Sequence, residues 1–413
     1  MHQVTGARER VAIIGAGAIG AAIACELAES GREVVVIDAL DTWGLGCSDG
    51  NAGYICPSHA GPWATRREMG QAVRWLGKRE SPLAMRPLPS LVPFFGQLMR
   101  VDETGMRRSG TVNRAMARRA VELHRRLAES GLDSGFRQDG LLDVYRDERR
   151  FDDARVIAEQ QRADGVDARV VDARGLAALD PGLDVEAVGG VWYPGDAHCD
   201  PVRFMRAIGW RAEARGVELM ARTRVTSLER HRRGVRVQTS AGAVLADRVV
   251  IAAGAASVRL ARRPYPMLQG GRGYSVDFTA PGVAAPKRPV VLQEDRVAIT
   301  PFADRMRVAG MMMFTGLDES IDARRVDALT RAGTRAFPEW GEATISAPWA
   351  GLRPCTPDGL PLLGWVNDRV MLATGHAMLG LALAPDTAER VRALFEGAAI
   401  EYADALNPRR FSH

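Results

Sequence analysis

Residues 11 to 39 read VAIIGAGAIGAAIACELAESGREVVVIDA, and no other stretch constrains the fold so tightly. A short apolar run, Val11 to Ile14, enters Gly15-Ala-Gly17-Ala-Ile-Gly20. A helix of small residues follows, then Gly31 and a second apolar run that ends at Asp38. This is the pattern of a strand–helix–strand unit carrying a dinucleotide fingerprint. Gly15 permits the tight turn, Gly17 lets the backbone approach a pyrophosphate, and Gly20 lets the helix pack closely on the sheet. The helix N-terminus adds free N–H groups and the positive end of its dipole. Asp38 lies 18 residues beyond Gly20, at the strand end where a carboxylate can accept hydrogen bonds from ribose hydroxyls.

The fingerprint also decides how the N-terminal region is read. Arg8 and Arg10 before an apolar run to Ala24 imitate a secretory leader, but the glycine spacing reads as strand, turn and helix. No stretch reaches the roughly eighteen uninterrupted apolar residues of a spanning helix. The five cysteines (Cys25, Cys47, Cys56, Cys199, Cys355) form no Cys-x-x-Cys pair, which fits a reducing, cytoplasmic setting. No metal site is expected, since Cys56 and His59 alone supply too few ligands. With 413 residues and 46% apolar content the chain is long enough for two globular domains. Its net charge of +5 is spread evenly, without the basic stripe and stacking aromatics of a nucleic-acid binder. All but two of the 55 cationic residues are arginine, which a GC-rich bacterial genome explains as readily as binding does.

Along the chain, residues 64 to 135 read as mostly helical, interrupted by SPLAMRPLPSLVPFFGQLMR with Pro82, Pro87, Pro89 and Pro93. This segment is either a packed insertion or a contact for a partner or a membrane surface, the latter placing the protein peripherally on the inner membrane. From Phe136 onward GLLDVYRD, GGVWYPGDAHCDP, GGRGYSVDF and RVAITPFADRMRVAGMM alternate with period two and read as a second sheet. Residues 216 to 255 read as three short strands leading into a buried one, Val249 to Ala252, that stops at Gly254. VMLATGHAMLGLALAP then gives a strand, a glycine-rich bend and a helix from about Asp386 to Glu396. The expected fold is therefore α/β with α+β. A discontinuous Rossmann-type domain (1–63, 199–266 and 346–413) joins a second, mixed-sheet substrate domain (64–198 and 267–345).

The fingerprint does not separate FAD from NAD, but it occurs once, so one dinucleotide is expected. The motif set resembles the D-amino-acid oxidase and dehydrogenase superfamily of FAD enzymes, which includes glycine and sarcosine oxidases. The resemblance runs nearly end to end, through GAGAIG with Asp38, CSDGNAG, RVTSL, RVVIAAGA, WAGLRPCTPDGLPLLG and ATGHAMLGLALAP. SDGNAGYICPSHAGPW, SPLAMRP and GRGYSV look most similar to bacterial D-amino-acid dehydrogenases, including those acting on 4-hydroxy-D-proline.

The resemblance implies non-covalent FAD, because Cys355 lies out of register with the cysteine that some sarcosine oxidases link to flavin. It implies cofactor contacts at Gly15, Gly17, Ala18, Ile19, Gly20, Asp38, Ala39, Ser48, Asn51, Ala52, Gly53 and Val225. Further contacts fall at Ala253, Gly254, Gly375, Met378, Leu379 and Gly380. Small residues at 51 to 53 suit a loop whose backbone approaches a flavin ring, and Cys56 and His59 are then expected at the entrance wall. Orienting an amino acid for hydride transfer calls for an arginine fork on its carboxylate, and Arg353 matches the arginine that does this in glycine-oxidase-like members. Tyr274 either donates to the carboxylate or packs the sheet core. His376 is expected beside the bend, lining the pocket or acting as a base. Glycine oxidase has a second arginine where this chain has Met378, so a larger or more hydrophobic substrate than glycine is expected, such as a proline-like or aliphatic D-amino acid. The leading reading is an FAD-dependent D-amino-acid dehydrogenase. A glycine or sarcosine type oxidase and a non-catalytic FAD-binding subunit are the alternatives. The motifs leave the electron acceptor open among a quinone, oxygen and a partner protein.

Overall fold

The computed structural model describes residues 8–61, 83–85, 89, 91–183, 185–260, 267–280, 282–283, 286–346 and 348–411. Two sheets organise them. The first has six strands in the order Leu362–Trp365, Val370–Thr374, Arg248–Ile251, Arg10–Ile14, Glu33–Ile37, Glu218–Met220. All neighbours run parallel except the first pair. Its central strands are apolar on both faces because both are covered. Val11, Ile13, Val34, Val36 and Val250 pack under the helices Ala18–Glu29, Pro201–Glu213 and Gly380–Phe395. Ala12, Ile14, Val35, Ile37, Val249 and Ile251 pack against a three-stranded sheet formed by Val225–His231, Gly234–Thr239 and Gly242–Ala246. Ile14 sits opposite both Ile37 and Ile251, so the loops after these strands leave the sheet side by side.

The second sheet runs Thr344–Ile345, Gln269–Thr279, Met306–Phe314, Val297–Pro301, Val290–Leu292, Leu141–Tyr145, Gly189–Tyr193, Arg169–Asp172. Trp349–Cys355 pairs antiparallel along Gln269–Thr279, and only beyond it does the chain return to the first sheet. One face of the second sheet packs under the helix Ala323–Ala336, with Tyr274, Val276, Phe278 and Val308 in that core. The other face turns toward the first sheet.

Residues 64–82 of the proline-studded segment lie outside the described residues. Its later part forms the helix Leu91–Arg100 with Pro93 in the first turn, where a missing N–H costs nothing. The long helix Glu103–Glu129 follows, capped by the Asp102 carboxylate on the Gly105 N–H. Two helices between the strands of the second sheet, Glu148–Ala163 and Ala173–Leu179, were not expected. Their signals were caps: Asp147 accepts from Arg150 N–H and Asp172 from Gly175 N–H. No helix among the described residues is long and apolar enough to cross a membrane.

Candidate cofactor and substrate site

Four loops meet at the carboxyl ends of the parallel strands, where ligands bind in open α/β sheets. The first is the glycine loop. Gly15 has φ +111°, and a Cβ there would fall 2.5 Å from Ala252 O; a Cβ on Gly20 would fall 1.8 Å from Gly15 O. Both positions therefore exclude side chains. Gly17 begins the helix with no side-chain cap, and the first turn holds no acid. Ser48 Oγ accepts the Ala18 N–H at 3.0 Å. A helix start without its own anion, rimmed by atoms too close for a Cβ, fits a pyrophosphate. Asp38 braces the loop: Oδ2 accepts from Ala16 N–H at 2.6 Å and Oδ1 from Leu40 N–H at 2.8 Å. Ala39 is exposed beside it, and Val225 starts the neighbouring sheet half-buried.

In the second loop, Asn51 Oδ1 accepts the Gly53 N–H at 2.7 Å. Gly53 has φ +79° and would drive a Cβ to 2.1 Å from Cys199 O. The third loop, Ala253 to Gly254, is tied to the fourth by Thr374 Oγ1, which donates to Gly254 O at 3.0 Å. The fourth turns through Gly375 (φ +84°) and Ala377 (φ +46°), then Met378 and Leu379, into the helix that opens at Gly380. A non-glycine residue at positive φ is strained, and Ala377 holds that conformation 9% exposed. The strand Trp349–Cys355 lies across both the Gly254–Ala256 and Ala377–Leu379 turns.

Arg353 projects from that strand. One arm of its fork, Nη1, donates to Met311 O at 2.6 Å. Met311 is another strained residue, at φ +69°. Diagonally across on the neighbouring strand, a Cβ on Gly273 would fall 2.0 Å from Arg353 Nη1, so the glycine makes room for the guanidinium. Among the described residues no carboxylate pairs with this half-buried arginine. Burial pushes its pKa below the ordinary value. The Cys47 thiol, near enough to feel its charge, is pushed up to about 11, burial outweighing Arg353. The Trp349 ring occupies the space a Cβ on Gly50 would take, at 2.0 Å. Cys47 and Trp349 had no sequence signal beyond lying in motifs.

For Tyr274 the structure supports the second of its two readings, and the expectations for His376 and for Cys56 with His59 are corrected. Tyr274 and Arg353 lie on opposite faces of their strand pair, because Arg353 sits opposite Gly271 and Tyr274 opposite Ala350. The Tyr274 hydroxyl instead meets Met313 Sδ at 3.6 Å and Ser320 O at 3.4 Å, in a side chain 1% exposed. His376 is 2% exposed with Nε2 at 3.0 Å from Thr387 Oγ1. Burial pushes it down to about 3, so it stays neutral and engaged within its own domain. Cys56 and His59 are not an entrance wall. Cys56 is buried, and His59 bridges Ser58 Oγ (2.6 Å) and Asp143 Oδ1 (3.0 Å), with Asp196 bonded to the far side of Ser58.

Residues 10–394 match the family described as DAO, FAD dependent oxidoreductase. A D-amino acid dehydrogenase of Rhizorhabdus wittichii is 35% identical over 396 residues, covering 91% of this chain and 93% of its own. A D-amino acid dehydrogenase of Cereibacter sphaeroides is 33% identical over 423 residues, covering 96% and 94%. Among solved structures, the glycine oxidase of Geobacillus kaustophilus aligns with a TM-score of 0.76 at 26% identity, covering 97% of this chain and 99% of that one.

Proposed function

The chain belongs to the DAO family of FAD-dependent oxidoreductases, and from that premise we propose that it dehydrogenates D-amino acids whose carboxylate is held by Arg353. The observation that carries the reading is the guanidinium itself: half-buried, anchored on one arm by Met311 O, and without a carboxylate among the described residues. A carboxylate ligand is the partner such a fork lacks. FAD, when bound along the glycine loop and residues 48 to 53, supplies the acceptor for the hydride that leaves the substrate α-carbon.

The protein's part is positional. Met311 O and Gly273 set where the fork points, and the fork fixes the α-carbon. Loss of the hydride from Cα and of a proton from nitrogen leaves an imine; a linear one hydrolyses to a keto acid, and a proline-like one stays cyclic. Met378, 44% exposed on the turn that the Arg353 strand crosses, gives the site an apolar wall suited to proline-like or small aliphatic side chains. Cys355 is fully buried and its thiol is pushed up to about 12, by burial foremost, which supports non-covalent FAD. The likeness to a glycine oxidase favours one sibling reading, an oxidase that yields peroxide.

The test is the visible spectrum of the purified protein under anaerobic conditions, with D-proline, 4-hydroxy-D-proline, D-alanine, glycine and sarcosine added in turn. Bleaching of the flavin band by a D-amino acid supports the proposal and ranks the side chains. Bleaching by glycine or sarcosine alone, with peroxide formed in air, selects the oxidase. A flavin that none of them reduces leaves a non-catalytic FAD-binding subunit.

A further inference from the structure

Three side chains form a row across the second sheet. Thr300 lies opposite Arg307, and Arg307 opposite Asp277, on three adjacent strands. Asp277 holds the Arg307 guanidinium by two parallel bonds, Nε to Oδ1 at 2.7 Å and Nη2 to Oδ2 at 2.9 Å. The remaining nitrogen, Nη1, donates to two backbone carbonyls of the other domain, Asp49 O at 2.5 Å and Asn51 O at 3.0 Å. Thr300 Oγ1 donates to the next carbonyl, Ala52 O, at 2.7 Å. Three carbonyls of one short loop are thus held from one side by the second sheet, through an arginine side chain only 5% exposed.

In a trans peptide the N–H points opposite to the C=O of the same plane. Holding Asp49 O and Asn51 O toward Arg307 therefore turns the Gly50 and Ala52 N–H groups away from it. Among the described residues neither N–H has an acceptor, and Gly50 is buried. Buried N–H groups without partners are rare, and the buried Gly50 N–H and half-buried Ala52 N–H, turned the same way, are what a polar ligand edge would fill. We propose that Arg307, seconded by Thr300, is a positioning residue for FAD: it sets the Asp49–Gly50 and Asn51–Ala52 peptide planes so that the Gly50 and Ala52 N–H groups face the cofactor. The proposal rests on the reading that this loop lines FAD, and it gives the second sheet a direct hold on a loop of the nucleotide-binding domain.

The arrangement is open to substitution. Arg305 Nε also donates to Asp277 Oδ2, at 2.9 Å, so removing Arg307 does not strand that carboxylate. The test compares wild type, Arg307→Met, Arg307→Lys and Thr300→Val, each stripped of FAD and reconstituted. Amide hydrogen exchange of the 48–53 segment is measured with and without FAD, alongside the FAD dissociation constant and the visible circular dichroism of the bound flavin. FAD is expected to slow exchange of this segment in wild type and to do so far less in Arg307→Met. Loss of a charged hydrogen-bond donor raises the dissociation constant about 10-fold or more, and loss of the neutral Thr300 donor about 3-fold. Lysine is expected not to restore it, because an ammonium cannot fork to a carboxylate while reaching two carbonyls. Equal protection, affinity and dichroism in wild type, Arg307→Met and Thr300→Val, even with lowered thermal stability, would reduce Arg307 to a structural ion pair and overturn the proposal alone. Absence of FAD protection in wild type itself would overturn the loop reading and the proposal with it.

Discussion

The glycine loop, residues 15 to 20, and the strand pair Gln269–Thr279 with Trp349–Cys355 both use glycine to make space, but they use it differently. In the loop a Cβ on Gly20 meets Gly15 O at 1.8 Å, so the obstacle is backbone five residues away and nothing can yield. In the strand pair a Cβ on Gly273 meets the end of the Arg353 side chain at 2.0 Å, and that side chain can swing aside. The first glycine defends a backbone shape, and the second defends where a cation sits. Under the proposed function, cofactor binding depends on the one and substrate orientation on the other.

Gly20→Val attacks the rigid side of this comparison and has the largest expected effect. The helix cannot approach the strand, and the purified protein is expected to carry no FAD, read from its visible absorbance. Arg353→Ala attacks the other side. At about 1.5–3 kcal/mol per hydrogen bond to a charged group, losing the fork is expected to lower kcat/KM at least about 100-fold while FAD content stays at the wild-type level. Gly273→Ala sharpens the contrast further: it displaces the guanidinium without removing it, for an expected loss of about 10-fold or more in kcat/KM, since misplacing a binding group by an ångström is costly. If Gly273→Ala instead lost FAD, the division between the two regions would be broken.

The same difference governs what was legible in the sequence. Gly15, Gly17, Gly20 and Asp38 were legible because all four belong to one strand–helix–strand unit, where spacing fixes geometry, although the atoms that crowd Gly15 and face Gly17 come from Ala252 and Ser48. Even there the sequence placed Asp38 without revealing that Ala16 and Leu40 N–H groups take its oxygens. Arg353 was picked out by its motif, not by its chemistry, among arginines that nearly all look alike. Arg307 was invisible for that reason: its task depends on register across three strands and on carbonyls more than 250 residues away. Tyr274 was left open between pocket and core because period two assigns a face only once the partner strand is known. The pairing of Gln269–Thr279 with Met306–Phe314 slips between Arg272 and Tyr274, a shift no alternation pattern announces.

Outside both regions, a charged cluster of His59, Asp143 and Asp196 makes stability depend on pH. Burial works against a charge on His59, but the Asp143 carboxylate at 3.0 Å, with Asp196 behind Ser58, outweighs it and pushes the imidazole up to about 9 from an ordinary 6.5. The folded state therefore keeps a proton that the unfolded chain releases near 6.5. Its stabilisation is full below that pH and is lost as the pH rises through about 9. The melting temperature is expected to fall by about 2 °C or more between pH 7 and 9.5, and His59→Gln is expected to flatten that fall. An equal fall in the variant would show that other groups carry it.

Tyr274→Phe gives the smallest expected effect and bears most closely on which face of the strand does chemistry. The hydroxyl lies under the helix Ala323–Ala336, against Met313 and Ser320 O, with Arg272 near the ring. Removing it deletes two long contacts in a core and nothing at Arg353. At about 1 kcal/mol for a neutral hydrogen bond, stability is expected to drop slightly while kcat/KM changes by less than about 3-fold. A donor to the substrate carboxylate behaves in the opposite way: its loss leaves stability alone and costs about 10-fold or more in kcat/KM. The two measurements on one variant therefore separate the faces. A kinetic loss without a thermal one would bring Tyr274 round to the substrate and require the strand pair to adopt a different register when FAD and substrate are bound.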